Sequence, residues 1–298
     1  MRRKERGSMF WLRVMSLLSM WLGRRLSRVV VVGISLYFLV AASAARRASH
    51  EYLTRCLGRA PTWRELFRHM FTFASTVHDR FYLLNDREDA FDVRCIGEAP
   101  GGAGGSAAGG GFLFGAHLGS FEVLRAAARW DARDKVCVAM YPENARQINQ
   151  ALAAINSHAV SNIIALGKID AILTINERIK NGAMVGILAD RASGAADHYV
   201  QLPFLGAPAS FPVGPFRMAA MMGQPVYFMA GLYRGGNRYD VHFELLMDES
   251  DKAGKSRDAL MRELLARYVA TLERHCRQEP FNWFNFYDFW GDPHLGSH

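Results

Sequence analysis

A histidine and a glutamate stand at a His-x4-Glu spacing in Phe112-Leu-Phe-Gly-Ala-His117-Leu-Gly-Ser-Phe-Glu122. An apolar, strand-like run ends at His117, and Gly119 and Ser120 make a turn. Glu122 then falls in the first turn of a helix predicted from Val123, Leu124, Ala127 and Ala128, with Ser120 as N-cap. At this spacing a carboxylate can fold back onto the imidazole and hold one tautomer. The other ring nitrogen is then free to take a proton from a hydroxyl. The plain alternative is a buried histidine bonded to a neighbouring helix. The setting favours catalysis, because α/β folds place ligands where a strand hands over to a helix.

The elements that must carry this pair alternate along the chain. Pro61 opens a helix running to about residue 84, and residues 91–96 alternate as a strand. The glycine-rich run 100–111 lacks GK[ST] and precedes a strand instead of following one, so it reads as a surface loop and not a phosphate cradle. Strands are predicted at 135–140, 162–166 and 183–189, the last ending at Asp190-Arg191, and helices at 144–155 and 169–181. A helix at 213–222, a strand pair at 225–233 and 238–246 around Gly235-Gly-Asn237, and a helix at 257–277 complete the chain. This is the pattern of an α/β fold, a mainly parallel sheet flanked by helices. We divide the chain into a basic, apolar membrane-anchoring segment, 1–59, and one catalytic domain, 60–298.

Charge supports that division. Residues 1–59 hold twelve Lys/Arg against Glu5 and Glu51, so the net charge of +8 belongs to this segment and the remainder is close to neutral. A nucleic-acid enzyme spreads positive charge around its cleft; a basic arm on a near-neutral body fits an anionic membrane surface, and no nucleic-acid partner is expected. Residues 29–45 carry no charge and are bracketed by Arg24, Arg25, Arg28 and by Arg46, Arg47. They read either as one short transmembrane helix or as a helix lying in the interface, with the Trp-rich stretch 9–21 ahead of it. The four cysteines, Cys56, Cys95, Cys137 and Cys276, are scattered without CxxC pairing, which predicts buried thiols and neither a zinc site nor a disulfide framework.

Several landmarks follow in order: Gly115-Ala-His117-Leu-Gly119-Ser-Phe-Glu122, Tyr141-Pro-Glu-Asn144, Asp190-Arg191, Val200-Gln-Leu-Pro-Phe204-Leu-Gly206, Pro212-Val-Gly-Pro-Phe-Arg-Met-Ala219 and Gln224-Pro-Val226. Together with the basic N-terminus they resemble the bacterial lipid A late acyltransferases, within the lysophospholipid acyltransferase superfamily, over roughly residues 11–290. The ending Glu279-Pro-Phe-Asn-Trp283-Phe-Asn285-Phe-Tyr-Asp288-Phe-Trp290 departs from the basic tail usual there and resembles a branch associated with polyene-lipid biosynthetic clusters. The segment 156–162 also lacks an arginine expected in the second family block. Both departures bear on the acceptor more than on the reaction.

The resemblance implies a membrane-associated enzyme of the cell inner membrane, its catalytic domain cytoplasmic. It would move a fatty acyl chain from an acyl carrier protein or coenzyme A thioester to a hydroxyl of a lipid or glycolipid acceptor. His117 and Glu122 would be catalytic; Asp190, Arg191, Gly119 and Ser120 would bind substrate. Asp190-Arg191 has a second reading as a structural ion pair, and Tyr141-Pro-Glu-Asn144 as a simple helix start. Amides at the start of the helix after His117 are candidates for the oxyanion hole, and Met218, Met221, Met222, Phe211 and Phe216 for an acyl groove. No metal or organic cofactor is required. The rival readings are a His-dependent thioesterase or lipid hydrolase, disfavoured in its serine form by the absence of G-x-S-x-G, and a non-catalytic membrane lipid-binding protein.

Overall fold

Short apolar runs rich in β-branched and aromatic residues form a seven-stranded sheet of order β1-β9-β8-β2-β5-β3-β4. Its strands are β1 (Asp92–Gly97), β2 (Gly111–Gly115), β3 (Val136–Met140), β4 (Ile163–Ala165), β5 (Met184–Leu188), β8 (Val226–Tyr233) and β9 (Arg238–Met247). All pairings are parallel except β8 with β9, a hairpin closed at Gly235-Gly-Asn237. The mixed α/β architecture expected from strand–helix alternation is therefore present. The computed structural model describes residues 23–24, 26–85, 87–98, 100, 110–123, 136–140, 163–167, 169–191 and 198–291. The stretch 9–21, most of the glycine-rich run, Tyr141–Asn144, the helix expected at 144–155, the segment 156–162 and the helix after Val123 lie outside the described residues.

The described helices are α1 (Leu26–Ala41), α2 (Ser43–Leu57), α3 (Trp63–Leu83), α4 (Ile169–Lys180), α5 (Gly214–Met222) and α6 (Arg257–Gln278). α3 starts on a capping box: Thr62 accepts from the Glu65 amide while the Glu65 carboxylate accepts from the Thr62 amide. One hydrophobic core takes Tyr52 and Leu53 from α2, Leu66 and Met70 from α3, Phe112 and Phe114 from β2, and Tyr268 and Leu272 from α6. Residues on both sides of position 59 thus share that core. Of the cysteines, Cys56, Cys137 and Cys276 are buried and Cys95 is exposed.

Strands β6 (Tyr199–Phe204) and β7 (Ala207–Pro212) form a separate antiparallel hairpin that sequence reading did not anticipate. Its two-residue turn needs positive φ at both positions, and Leu205 (φ 50°) and Gly206 (φ 82°) supply it. A leucine there hides the usual Asn-Gly signal.

The uncharged stretch 29–45 does not fold as one straight helix. α1 ends at Ala41, and α2 leaves it at 92°. No single described helix is long and apolar enough to cross a membrane. α1 buries one stripe at i, i+4 intervals, Ser27, Val31, Ser35 and Leu39, and exposes Val29, Leu36, Tyr37, Phe38 and Val40. Near its start, Arg24 holds the fully buried Asp79 of α3 through two 2.8 Å bonds, and Tyr239 of β9 donates to the same carboxylate at 2.8 Å.

His69 of α3 is buried where α2 meets the C-terminal segment. Its Nε2–H donates to the Trp283 carbonyl at 2.8 Å, and Nδ1 accepts from the Ser49 hydroxyl at 2.8 Å. Burial pushes this histidine down to about 4, against the Trp283 bond, which acts in the opposite sense. The unfolded chain takes up this proton as pH falls through about 6.5, whereas the native protein resists until about 4. The unfolded state therefore binds more protons in that window, and stability falls with pH by up to roughly 3 kcal/mol from this group. Urea unfolding at about pH 7 and about pH 5 should show the loss, and the loss should shrink in His69→Gln. An unchanged pH dependence in the variant would assign it to other groups.

Candidate active site

Two neighbouring parallel strands fix the site. β2 and β5 pair in a register that sets Gly115 opposite Leu188, and the Ala189 amide extends the ladder to the Gly115 carbonyl at 2.9 Å. Counting two residues past each strand end brings His117 and Asp190 side by side. The His117 Nδ1 lies 2.9 Å from Asp190 Oδ1, and the His117 amide donates to Oδ2 at 3.1 Å. The Trp283 indole N–H also reaches Oδ2 at 3.1 Å, and Arg191 Nε stands 3.7 Å from it. Asp190 is fully buried, which alone would raise its affinity for a proton. The neighbouring His117, then Arg191, outweigh burial and hold it well below the ordinary carboxylate range. A permanent carboxylate on Nδ1 assigns the proton to that nitrogen. In the neutral imidazole the lone pair then falls on Nε2, which has no partner among the described residues.

Glu122, expected to orient His117, is engaged elsewhere. Its carboxylate pairs with Arg80 of α3 at 2.6 Å and accepts from the Ser120 hydroxyl at 3.1 Å. The reason lies in the backbone between the two residues. The Gly119 amide bonds the Asn282 carbonyl and the Ser120 amide bonds the Gly231 carbonyl, both at 2.8 Å. The loop is thus pinned between β8 and the C-terminal segment and turned away from the imidazole. Gly119 has φ 73°, and a Cβ there would stand 1.9 Å from the Gly231 oxygen, so only glycine fits. Both amides are consumed by the fold; the amides expected to serve the oxyanion belong to the helix after His117, which past Val123 lies outside the described residues.

His117, its side chain 38% exposed, opens into a cavity of about 370 Å³. Arg80, Arg191, Gly119 and Ser120 line its polar part; Phe73, Val77, Leu188, Phe284 and Phe286 line its apolar part. Arg191 lies over the Tyr287 ring at 4.6 Å and donates to the Phe284 carbonyl at 2.7 Å. It is both an ion-pair partner of Asp190 and a wall of the cavity. The methionines expected to line a groove are absent from this wall. Phe211 and Phe216 are fully buried core, Met218 and Met222 pack against that core, and Met221 is exposed. The wall comes instead from α3 and the aromatic C-terminal run, which the sequence offers as packing first and as channel lining second. Sequence reading missed Arg80 and Trp283 as site residues. Trp283 carried a faint signal in the dense aromatic ending; Arg80 carried none.

No curated protein matches the chain. A family model described as bacterial lipid A biosynthesis acyltransferase matches residues 5–291. That span includes the His117 strand end, Asp190-Arg191 and the C-terminal segment that closes over them, and the chain belongs to the bacterial lipid A biosynthesis acyltransferase family.

Proposed function

We propose that this protein is a membrane-associated acyltransferase in which His117 is the general base and Asp190 its orienting carboxylate. It would transfer a fatty acyl chain from an acyl carrier protein or coenzyme A thioester to a hydroxyl of a lipid or glycolipid. The observation that carries the reading is the His117–Asp190 pair, with His117 lining a largely apolar cavity. The acceptor hydroxyl gives its proton to His117 Nε2 as its oxygen attacks the thioester carbonyl. The tetrahedral intermediate then collapses, the C–S bond breaks, and the imidazolium returns the proton to the departing thiolate. Asp190 stabilises the transient imidazolium as a sealed negative charge. With the Gly119 and Ser120 amides spent, the guanidinium of Arg191 is the cavity-lining donor suited to the developing oxyanion.

His117→Ala and Asp190→Asn should each lower kcat for transfer by at least ~10²-fold; His117→Ala should change thermal stability little, whereas Asp190→Asn removes a buried charge and is assayed at a temperature where circular dichroism shows it folded. The assay supplies purified protein with each thioester and a membrane lipid extract, and product is scored by mass spectrometry as acceptor ester or free fatty acid. Near wild-type transfer by Asp190→Asn would remove the orienting role. Free fatty acid as the main product would replace transfer by hydrolysis. Glu122→Gln and Arg80→Ala should give the same defect as each other, and the double variant no further loss, because the two groups act as a pair.

The membrane contact in this reading is the outward face of α1. Val29, Leu36, Tyr37 and Val40 fall on one apolar face of a helix packed to the body by its other side. This supports a helix lying in a membrane interface; we propose, as the family suggests, that the membrane is the cell inner membrane and the site cytoplasmic. Tyr37→Glu with Val40→Glu should abolish co-sedimentation with vesicles of anionic bacterial lipids while changing stability by only ~0.5 kcal/mol. Sedimentation unaffected by the pair would assign attachment to another surface.

A further inference from the structure

Residues 282–284 run antiparallel beside residues 117–119. The Phe284 amide donates to the His117 carbonyl at 2.7 Å, the Gly119 amide donates to the Asn282 carbonyl at 2.8 Å, and Trp283 stands opposite Leu118. The Asn282 side chain fastens this ladder to β8, accepting from the Tyr233 amide at 2.8 Å and donating to the Tyr233 carbonyl at 3.3 Å. Between these fixings, the Trp283 ring points inward. It is fully buried, edge-on to Tyr52, Phe204 and Phe289 at centroid distances of 4.9, 5.3 and 4.9 Å. Its one polar atom, Nε1, donates to Asp190 Oδ2 at 3.1 Å.

A carboxylate can rotate about its Cβ–Cγ bond. Asp190 is held against doing so because Oδ2 takes the His117 amide and the Trp283 indole, which keeps both oxygens turned toward Nδ1, Oδ1 at 2.9 Å and Oδ2 at 3.2 Å. A rigid bicycle, locked by packing, is a better stop than a hydroxyl or amide on a rotatable chain. We propose that Trp283 is the positioning residue of the general base: it touches no substrate and acts on the reaction through Asp190. This rests on the reading of His117–Asp190 as the proton-transfer pair. A small error in imidazole direction is amplified in rate, since proton transfer demands an aligned donor and acceptor.

The test is a double-mutant cycle on the purified full-length protein. Trp283→Phe keeps an aromatic ring in the core and removes the N–H. It should lower kcat about 10-fold and leave KM within about two-fold. In the Asp190→Asn background the same change should cost less than about two-fold, because the group it acts through is already altered. Equal costs in the two backgrounds, or a loss carried by KM, overturn the proposal and leave Trp283 a packing residue. If Trp283→Phe does not fold, Trp283→benzothienylalanine, with sulfur replacing N–H in the same bicycle, is measured in its place with the same expectations. With indole-¹⁵N-labelled protein, the Trp283 N–H resonance should move on Asp190→Asn more than any other tryptophan resonance; an unmoved resonance also overturns the proposal. Failure of the underlying reading is distinguishable, since then His117→Ala itself retains transfer.

Discussion

Sealing the Asp190 carboxylate from water obliges the protein to supply the partners that water would have given, and much of the site follows from that obligation. A buried, unpartnered carboxylate would take up a proton instead of remaining charged. Here the His117 amide, the His117 ring and the Trp283 indole bond it, with the Arg191 guanidinium close by. These groups come from three separate places in the chain, so the acid can be satisfied only when β2, β5 and the C-terminal segment are all in place. The His117–Asp190 pair is in this sense a product of the completed fold. The parallel register of Gly115 against Leu188 sets its spacing, and neither strand alone could do so.

The same solution recurs at the root of α1. Asp79 is likewise fully buried and charged, held below its usual range by its neighbours despite burial, with Arg24 and Tyr239 as bonding partners. Removing one member of such a buried pair commonly costs about 3–5 kcal/mol, because the other charge is left without compensation. α1 is therefore fastened at its arginine-rich end, where Arg28 also bonds Tyr233 and Gly236. The remaining surface of the helix is free to be apolar. Tyr233 links this root to the site, since Asn282 clamps its backbone and flanks Trp283.

Much of the fold was legible because its signals are local. Period-two strands, the glycine turn of the hairpin after β8, and the amphipathic α6 each declare themselves within a short window. The β6–β7 hairpin was not, because its turn uses Leu205 at positive φ in place of a residue that prefers it. The break between α1 and α2 was hidden for the converse reason: Ala42 is a good helix former, and the turn there rests on non-local packing of Tyr52 and Leu53 into the core and on Arg46 bonding the Leu39 and Val40 carbonyls. In the site, His117 was legible from its strand end. Its partner was not, since sequence spacing favours the nearest carboxylate, whereas the sheet favours the one at the end of the neighbouring strand. Asp190-Arg191 was singled out, but as a substrate contact or ion pair; only the β2–β5 register reveals that it faces the imidazole.

The displaced Glu122 explains how one small site holds two arginines and a histidine without mutual repulsion. Gly119 and Gly231 approach so closely that the turn after His117 can run in only one direction, which carries Glu122 to the α3 side of the cavity. There it meets Arg80, while Arg191 keeps to the Asp190 side. Each cation in the wall thus has its own acid. The two acids differ in one respect that matters for chemistry. Asp190 has no exposed surface, whereas the Glu122 side chain retains 16% of its own. A charge screened by water changes little when a neighbour gains a proton; a charge sealed in low dielectric changes the energy of that proton strongly. The His-x4-Glu spacing therefore places its glutamate where it shapes the wall, and leaves the contact with the imidazole to the acid that water cannot reach.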